Sequence, residues 1–208
     1  MARAASVLND GLPVEAVQAF APDSQPEIVT GLQGLGFAPV TGHTLAHFTR
    51  RFNGWSNPSA SLPAGFALRT LAPAGDVEAR VVCGRAAFPA SRMTVEKYEA
   101  ARRTTLYRPA LDWLLIAPDG RVAAFALGWL DPVTLAVELE PVGVHPDFQR
   151  QGFGRAVCLA AIGAARSLGA SQGLIYAEGN NPAALGLYAS LGYEIATWTR
   201  PYRRPLRA

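Results

Sequence analysis

Lysine is almost missing from this chain. Lys97 is the only one, so nearly every cation among the 19 Lys and Arg residues is an arginine. Cysteine is as scarce: Cys83 and Cys158 show no metal-ligand spacing and read as free, buried thiols of a reducing compartment. The three histidines, His43, His47 and His145, offer no metal spacing either, so no metal is expected. The charge surplus is small, +3, and no basic stripe interleaved with aromatics is present, which excludes a nucleic-acid interface. The densest basic cluster, "RPYRRPLRA" at the end, reads as a solvated terminus. No apolar run reaches the length of a membrane span. The start, "MARAASVLNDG", lacks the apolar core of a signal peptide. The expectation is a cytoplasmic chain without a membrane partner.

What is present is apolar: half of the 208 residues, enough for one full domain and a smaller piece. From Pro63 onward, strand and helix signals alternate. "GFALRTL" (65–71) predicts a strand. "DVEARVVCGRAAF" and "TVEKYEAARRTTL" predict helices, the second with Thr94 as N-cap. "LDWLLIA" and "RVAAFALGWL" flank Pro118-Asp119-Gly120, where proline sets φ and glycine supplies a positive φ, a hairpin signal. A third strand, "TLAVELEPVGV" (134–144), sets Glu138 and Glu140 on one face and Leu135, Val137 and Leu139 on the other. Pro141 removes a ladder donor and Gly143 weakens pairing again. The sheet should splay there and leave main-chain groups of Val142 and Val144 unpaired.

The stretch "HPDFQRQGFGRA" (145–156) follows, with Gly152 and Gly154 opening an apolar helix that Gly169 closes. A helix start offers free N–H groups and a positive dipole end, and glycines strip away the side chains that would bar an anion. The pattern is a phosphate-binding turn. It lacks the Gly-Lys-Ser/Thr of a P-loop, and its spacing fails the dinucleotide fingerprint. Next come a strand, "GLIYAEG" (173–179), and a helix with Asn181 as N-cap, Pro182 in the first turn and Gly192 at the end. "YEIATWT" predicts the final strand.

Two separated patterns together resemble one family. Gln149-x-x-Gly152-x-Gly154 after a proline-interrupted strand resembles the acetyl-CoA signature of the GNAT superfamily of N-acetyltransferases. Asn181-x-x-Ala184-x-x-x-Tyr188, followed by Leu191-Gly192-Tyr193, resembles its second signature, and Val144-His145-Pro146 also fits. The resemblance covers about residues 63–200. It implies an α/β fold: a mixed, mostly antiparallel splayed sheet flanked by helices, whose gap admits the pantetheine arm of acetyl-CoA. The diphosphate would lie on the N–H groups from Gln151 through Gly152, Phe153, Gly154 and Arg155 to Ala156. Gln149 belongs to the signature, Arg150 and Arg155 add charge, and Asn181 contacts the cofactor. Main-chain groups of Val142 and Val144 would face the arm. The acceptor implied is a primary amine of a small molecule or peptide, attacking directly. An amine of pKa about 10 arrives protonated and needs a base. Glu140 is the first candidate and Glu138 the second. Tyr188 matches the family's general acid. The alternative is an inactive acyl-CoA-binding regulatory module.

Residues 1–62 carry a fainter pattern. Pro26 set on Pro182, an offset of 156, aligns "QPEIVTGLQGLGFAPV" with "NPAALGLYASLGYEIA", and Phe48-Thr49-Arg50 echoes Trp198-Thr199-Arg200. This segment reads as a small β-α-β half-domain, the closing half of a vestigial GNAT-like copy ahead of a catalytic domain at 63–208. Gln25 replaces Asn181 and Leu32 replaces Tyr188, so this copy lacks the proton donor. Its strand edges would need covering by the catalytic domain or by a homodimer partner.

Overall fold

The computed structural model describes residues 16–206 apart from 43, 57, 59, 73 and 74. His43 and the first 15 residues of the N-terminal segment therefore lie outside the described residues. The elements run β1 (Ala16–Pro22), α1 (Pro26–Gly34), β2 (Ala38–Pro39), β3 (Leu45–Arg51), β4 (Ala67–Thr70), α2 (Asp76–Ala87), α3 (Val95–Arg102), β5 (Asp112–Ile116), β6 (Val122–Leu130), β7 (Ala136–Val144), α4 (Phe153–Ser167), β8 (Gln172–Glu178), α5 (Pro182–Ser190) and β9 (Glu194–Pro205).

Among the described residues the strands form one sheet in the order β1-β9-β3-β8-β7-β6-β5-β4, with β2 also on β9. Its ladders are antiparallel except β7–β8, which is parallel. Helix α4 lies on one face, burying Val157, Ala161, Ile162 and Ala165 against Leu115, Ala124, Ala126, Val137 and Leu139. Helices α2 and α3 cover the other face over Leu114, Val122 and Phe125. The caps follow the local chemistry expected of them. Thr94 accepts from Lys97 N–H, Asn181 accepts from Ala184 N–H, and Gly169 and Gly192 take positive φ.

The α2/α3 face holds a polar cluster that sequence patterning did not reveal. Asp112 is 0% exposed and accepts 2.8 Å hydrogen bonds from the Tyr98 and Tyr107 hydroxyls. Burial pushes its carboxyl pKa up, while those two bonds and the Arg80 and Arg102 charges pull the other way. Arg80, 3% exposed, lies 3.3 Å over the Phe125 ring.

Two expectations change, and a third is met in part. β7 begins at Ala136, not 134: Asp131 closes a turn by accepting from Val133 N–H and the Thr134 hydroxyl, and Leu135 sits at φ 53° outside the strand. The basic tail is no solvated terminus through residue 205. It extends β9, with Tyr202 buried against the register partner Ala19 and Arg200 paired to Asp23. The N-terminal segment is met within the chain on one side, because β3 threads between β8 and β9 and β1 pairs with β9, while the outer edge of β1 has no partner strand among the described residues.

The threading has internal symmetry. β8 and α5 reproduce the bounds of β1 and α1 at a spacing of 156 residues (172 less 16, 182 less 26). Each first strand then pairs antiparallel with the other unit's last strand: Ala16 with Pro205 and Pro22 with Thr199, Gln172 with Arg51 and Glu178 with Leu45. The registers make Leu45 equivalent to Thr199, so the echo of Phe48-Thr49-Arg50 in Trp198-Thr199-Arg200 does not hold position by position.

Candidate functional site

The sheet forks between β7 and β8. They pair only at Ala136–Glu138 with Gln172–Leu174 and part beyond. The open edge of β7 is the one that faces β8. β7 stays paired with β6 as far as Val144, through a register-shifting bulge in which Glu140 and Pro141 together oppose Leu127. His145 N–H donates to Ala123 O at 2.9 Å, beyond the Val144–Ala124 pair. Strand alternation then turns the main-chain N–H and C=O of Val142 and Val144 away from β6, into the fork. Gly143 between them is needed for space: a Cβ there would run into the Phe125 ring.

The start of α4 faces the same opening. Gly152 is its N-cap at φ 79°, with no side chain capping the first turn, and a Cβ on it would meet nothing within 4 Å. Arg150 is also left-handed, φ 63°, which turns the preceding loop sharply. Gly154 serves differently: a Cβ there would come within 3.2 Å of Leu187 and 3.3 Å of Val144. The result is a cleft of about 480 Å³ bounded by Val142 and Val144 from β7, Gln149, Arg150, Gly152, Phe153, Gly154 and Arg155 from the turn and helix mouth, and Asn181 and Tyr188 from α5. Gln151 and Ala156 do not line it. Ala156 N–H already donates to Gly152 O at 3.0 Å, so the donors left by helix geometry end at Arg155, one residue short of the expectation.

Tyr188 is 6% exposed, held edge-on by Phe48 of β3 at 5.6 Å. Burial, with the charges of Cys158, Glu140 and Tyr193, raises its phenol well above the usual range. Glu140 does not line the cleft, but its charge reaches Tyr188. Glu140 is exposed on β7, but desolvation by the surrounding chain, and then Glu138, push its carboxyl up. Glu138, raised by burial, opens instead on a second pocket of about 350 Å³, lined also by Leu106, Trp129, Leu174 and Asp131. Trp129 Nε1–H donates to Glu140 O at 2.7 Å, tying this pocket to the bulge. Tyr176 of β8 feels the Glu138 charge. Trp129, Tyr176 and Phe88, the last a further wall of the cleft, escaped the sequence reading, and Phe48 entered it only as part of the N-terminal echo. Their positions follow from strand order and helix docking, and no local spacing marks them. Among the described residues, no group of His, Cys, Asp or Glu is arranged to hold a metal ion.

A forked mixed sheet with a bare helix mouth at the fork defines a class of acyltransferase. The chain belongs to the GNAT acetyltransferase family: the family model "Acetyltransferase (GNAT) family" matches residues 81–193. Among curated relatives, it is 32% identical over 148 residues to a mycothiol acetyltransferase of Saccharomonospora viridis, covering 66% of this chain and 48% of that protein. It is 34% identical over 139 residues to one of Kineococcus radiotolerans, covering 65% and 45%. The chain thus spans about half the length of the curated relatives it matches. Among solved structures, a GCN5-related N-acetyltransferase from Sphaerobacter thermophilus superposes with TM-score 0.78 at 19% identity, over 93% of this chain and 60% of that one. A tandem GNAT protein from the clavulanic acid biosynthesis pathway gives 0.75 at 12%, over 92% and 64%. At these identities the likeness bears on the fold alone. No helix among the described residues is long and apolar enough to cross a membrane.

Proposed function

We propose that the chain is an acetyl-CoA-dependent N-acetyltransferase acting on a primary amine of a small molecule or peptide. The observation that carries this is the meeting, in one cleft, of the uncapped α4 mouth, the forked β7 edge and Tyr188. The first-turn N–H groups from Gly152 to Arg155 suit a diphosphate, and the empty space over Gly152 lets one approach. The main-chain groups of Val142 and Val144 can pair with an extended amide arm as a further strand would. Acetyl-CoA, when bound, supplies an activated thioester.

The residues divide the proton work. Glu140 takes the proton of the acceptor ammonium, directly or through water. Its raised pKa makes it a better base than an ordinary carboxylate. Glu138 in the adjoining pocket is the second candidate and, with Asp131, gives that pocket a negative charge suited to an ammonium group beside the Trp129 ring. The main-chain N–H near Val142 is the donor for the thioester oxygen. Tyr188 stays protonated at neutral pH and donates to the leaving sulfur. A thiol of pKa about 8.5 needs a hydrogen bond there more than complete proton transfer. The N-terminal segment fits the same family reading as the closing half of a second, inactive copy, with the catalytic domain at 63–208. Gln25 makes no side-chain cap on α1, unlike Asn181 on α5.

Calorimetry with coenzyme A, followed by thiol-release assays across an amine panel with wild type and Tyr188→Phe, tests this. Uptake of the coenzyme, turnover of at least one amine and loss of rate in Tyr188→Phe are expected. No uptake overturns the reading. Uptake without turnover of any amine leaves the acyl-CoA-binding regulatory module in its place.

A further inference from the structure

The buried cluster under α2 and α3 touches neither the coenzyme cleft nor the acceptor pocket with its charges. Arg80 and Asp112 are both buried, and Nε and Nη2 of Arg80 and Oδ1 of Asp112 have no hydrogen-bond partner among the described residues. Apolar residues of the same volume often hold a core at least as well, so stability is a weak reason for these charges. Their placement supplies another. Asp112 opens β5 and pairs with Leu127 of β6, the residue that the Glu140–Pro141 bulge opposes across the next ladder. Asp112 therefore lies in the same row of the sheet as the bulge.

Two arms run from its carboxylate. Tyr98 donates to Oδ2 at 2.8 Å, and the Arg80 guanidinium lies 5.2 Å over the Tyr98 ring. The same guanidinium sits 3.3 Å over Phe125, whose ring edge occupies the place of a Cβ on its register partner Gly143. Tyr107 donates to the same Oδ2 at 2.8 Å, and its ring meets Trp129 edge-on at 6.4 Å. Trp129 Nε1–H reaches the main-chain oxygen of Glu140 at 2.7 Å. The arms end on β7 at Glu140 and Gly143, on either side of Pro141 and Val142. This stretch needs a hold. Beyond Glu138 it has no β8 partner among the described residues, and the bulge interrupts its ladder to β6.

We propose that Asp112, Arg80 and Tyr107 are positioning residues for the acetyl transfer described above, the reading on which this inference rests. The arm through Arg80 and Phe125 fixes the Gly143 end of the bulge, and with it the Val142 main chain that faces the coenzyme. The arm through Tyr107 and Trp129 fixes the Glu140 end, and with it the base. Asp112 ties the two arms together, so that donor site and base keep one geometry. Reacting groups must be held within roughly 0.5 Å, and a misplacement of about 1 Å can cost on the order of 100-fold in rate.

Arg80→Met and Tyr107→Phe in the full chain each cut one arm and keep most of the side chain. Calorimetry with coenzyme A, thiol-release kinetics with an amine that wild type turns over, and thermal unfolding read the result, the first two well below the unfolding transition. Arg80→Met should weaken coenzyme binding at least about fivefold and leave the amine KM near wild type. Tyr107→Phe should lower kcat at least about fivefold and leave coenzyme binding near wild type. A purely structural cluster would lower Tm and move neither. Variants that lose Tm alone, or that lose coenzyme binding and kcat together, overturn the proposal. Where wild type binds coenzyme but turns over no amine, unchanged coenzyme binding in Arg80→Met overturns it as well. A wild type that binds no coenzyme overturns the proposed function itself, and this inference with it.

Discussion

Replacing Gly143 by alanine would set a methyl group 2.8 Å from Cε1 and 3.0 Å from Cε2 of Phe125, and closer still to Cζ. Real Cβ contacts do not come this near, so something must move. The ring has little freedom to yield. Phe125 is fully buried, with the Arg80 guanidinium 3.3 Å over its face and the Phe88 ring centred 6.4 Å away. Overpacking of this kind costs about 1–3 kcal/mol, and the rigid surroundings favour the upper end. For a chain of this size, about 3 kcal/mol lowers Tm by roughly 6–12 °C. The alternative to moving the ring is moving β7, which would displace the Val142 and Val144 main chain from the fork and weaken coenzyme binding as well. Thermal unfolding followed by circular dichroism measures the first effect and calorimetry with coenzyme A the second. Phe125→Leu removes the clashing ring edge, so Gly143→Ala/Phe125→Leu should lose at least about 1 kcal/mol less than the sum of the single changes. Gly152→Ala is the control: no neighbour lies within 4 Å of its Cβ, and only the left-handed backbone costs, about 1 kcal/mol. A Gly143→Ala protein melting within about 2 °C of wild type, or strict additivity in the double variant, would refute the reasoning.

Further expectations concern protons and buried charge. Tyr188→Phe should bind coenzyme A with near wild-type affinity and lose about 10–100-fold in kcat, read by thiol release; an unchanged kcat removes Tyr188 from the chemistry. Glu138 raises the Glu140 pKa, so Glu138→Gln should let Glu140 ionise at lower pH. The acid limb of the kcat/KM profile then shifts to lower pH, and a shift upward contradicts the assignment of Glu140 as the base. Asp112→Ala strands the Tyr98 and Tyr107 hydroxyls in a buried site and should cost about 2–4 kcal/mol in denaturant unfolding. An effect below about 1 kcal/mol would mean those hydroxyls find water instead.

The sequence showed those features whose physics is local. Asn181, Pro182 and Gly192 mark α5 because caps act within a turn or so of chain. Gly152 marks the helix mouth because a left-handed N-cap requires it. Pro141 and Gly143 pointed to the fork, although which edge of β7 opens depends on its neighbours on both sides. Trp129, Tyr176 and Phe88 came to the site unseen, since each is brought there by an element distant in sequence. The basic tail was misjudged for the same reason. Its arginines resemble a solvated end until β1 and β3 arrive from residues 16–51 to pair with it. Local patterning, read from composition and spacing alone, was therefore enough for the element types, the caps and the anion-ready turn. The threading of β3 between β8 and β9, the burial of Asp112 and the meeting of Tyr188 with the fork came from folding in three dimensions. Strand order and burial are settled by pairing energies between segments more than a hundred residues apart, and those leave no periodic trace in either segment.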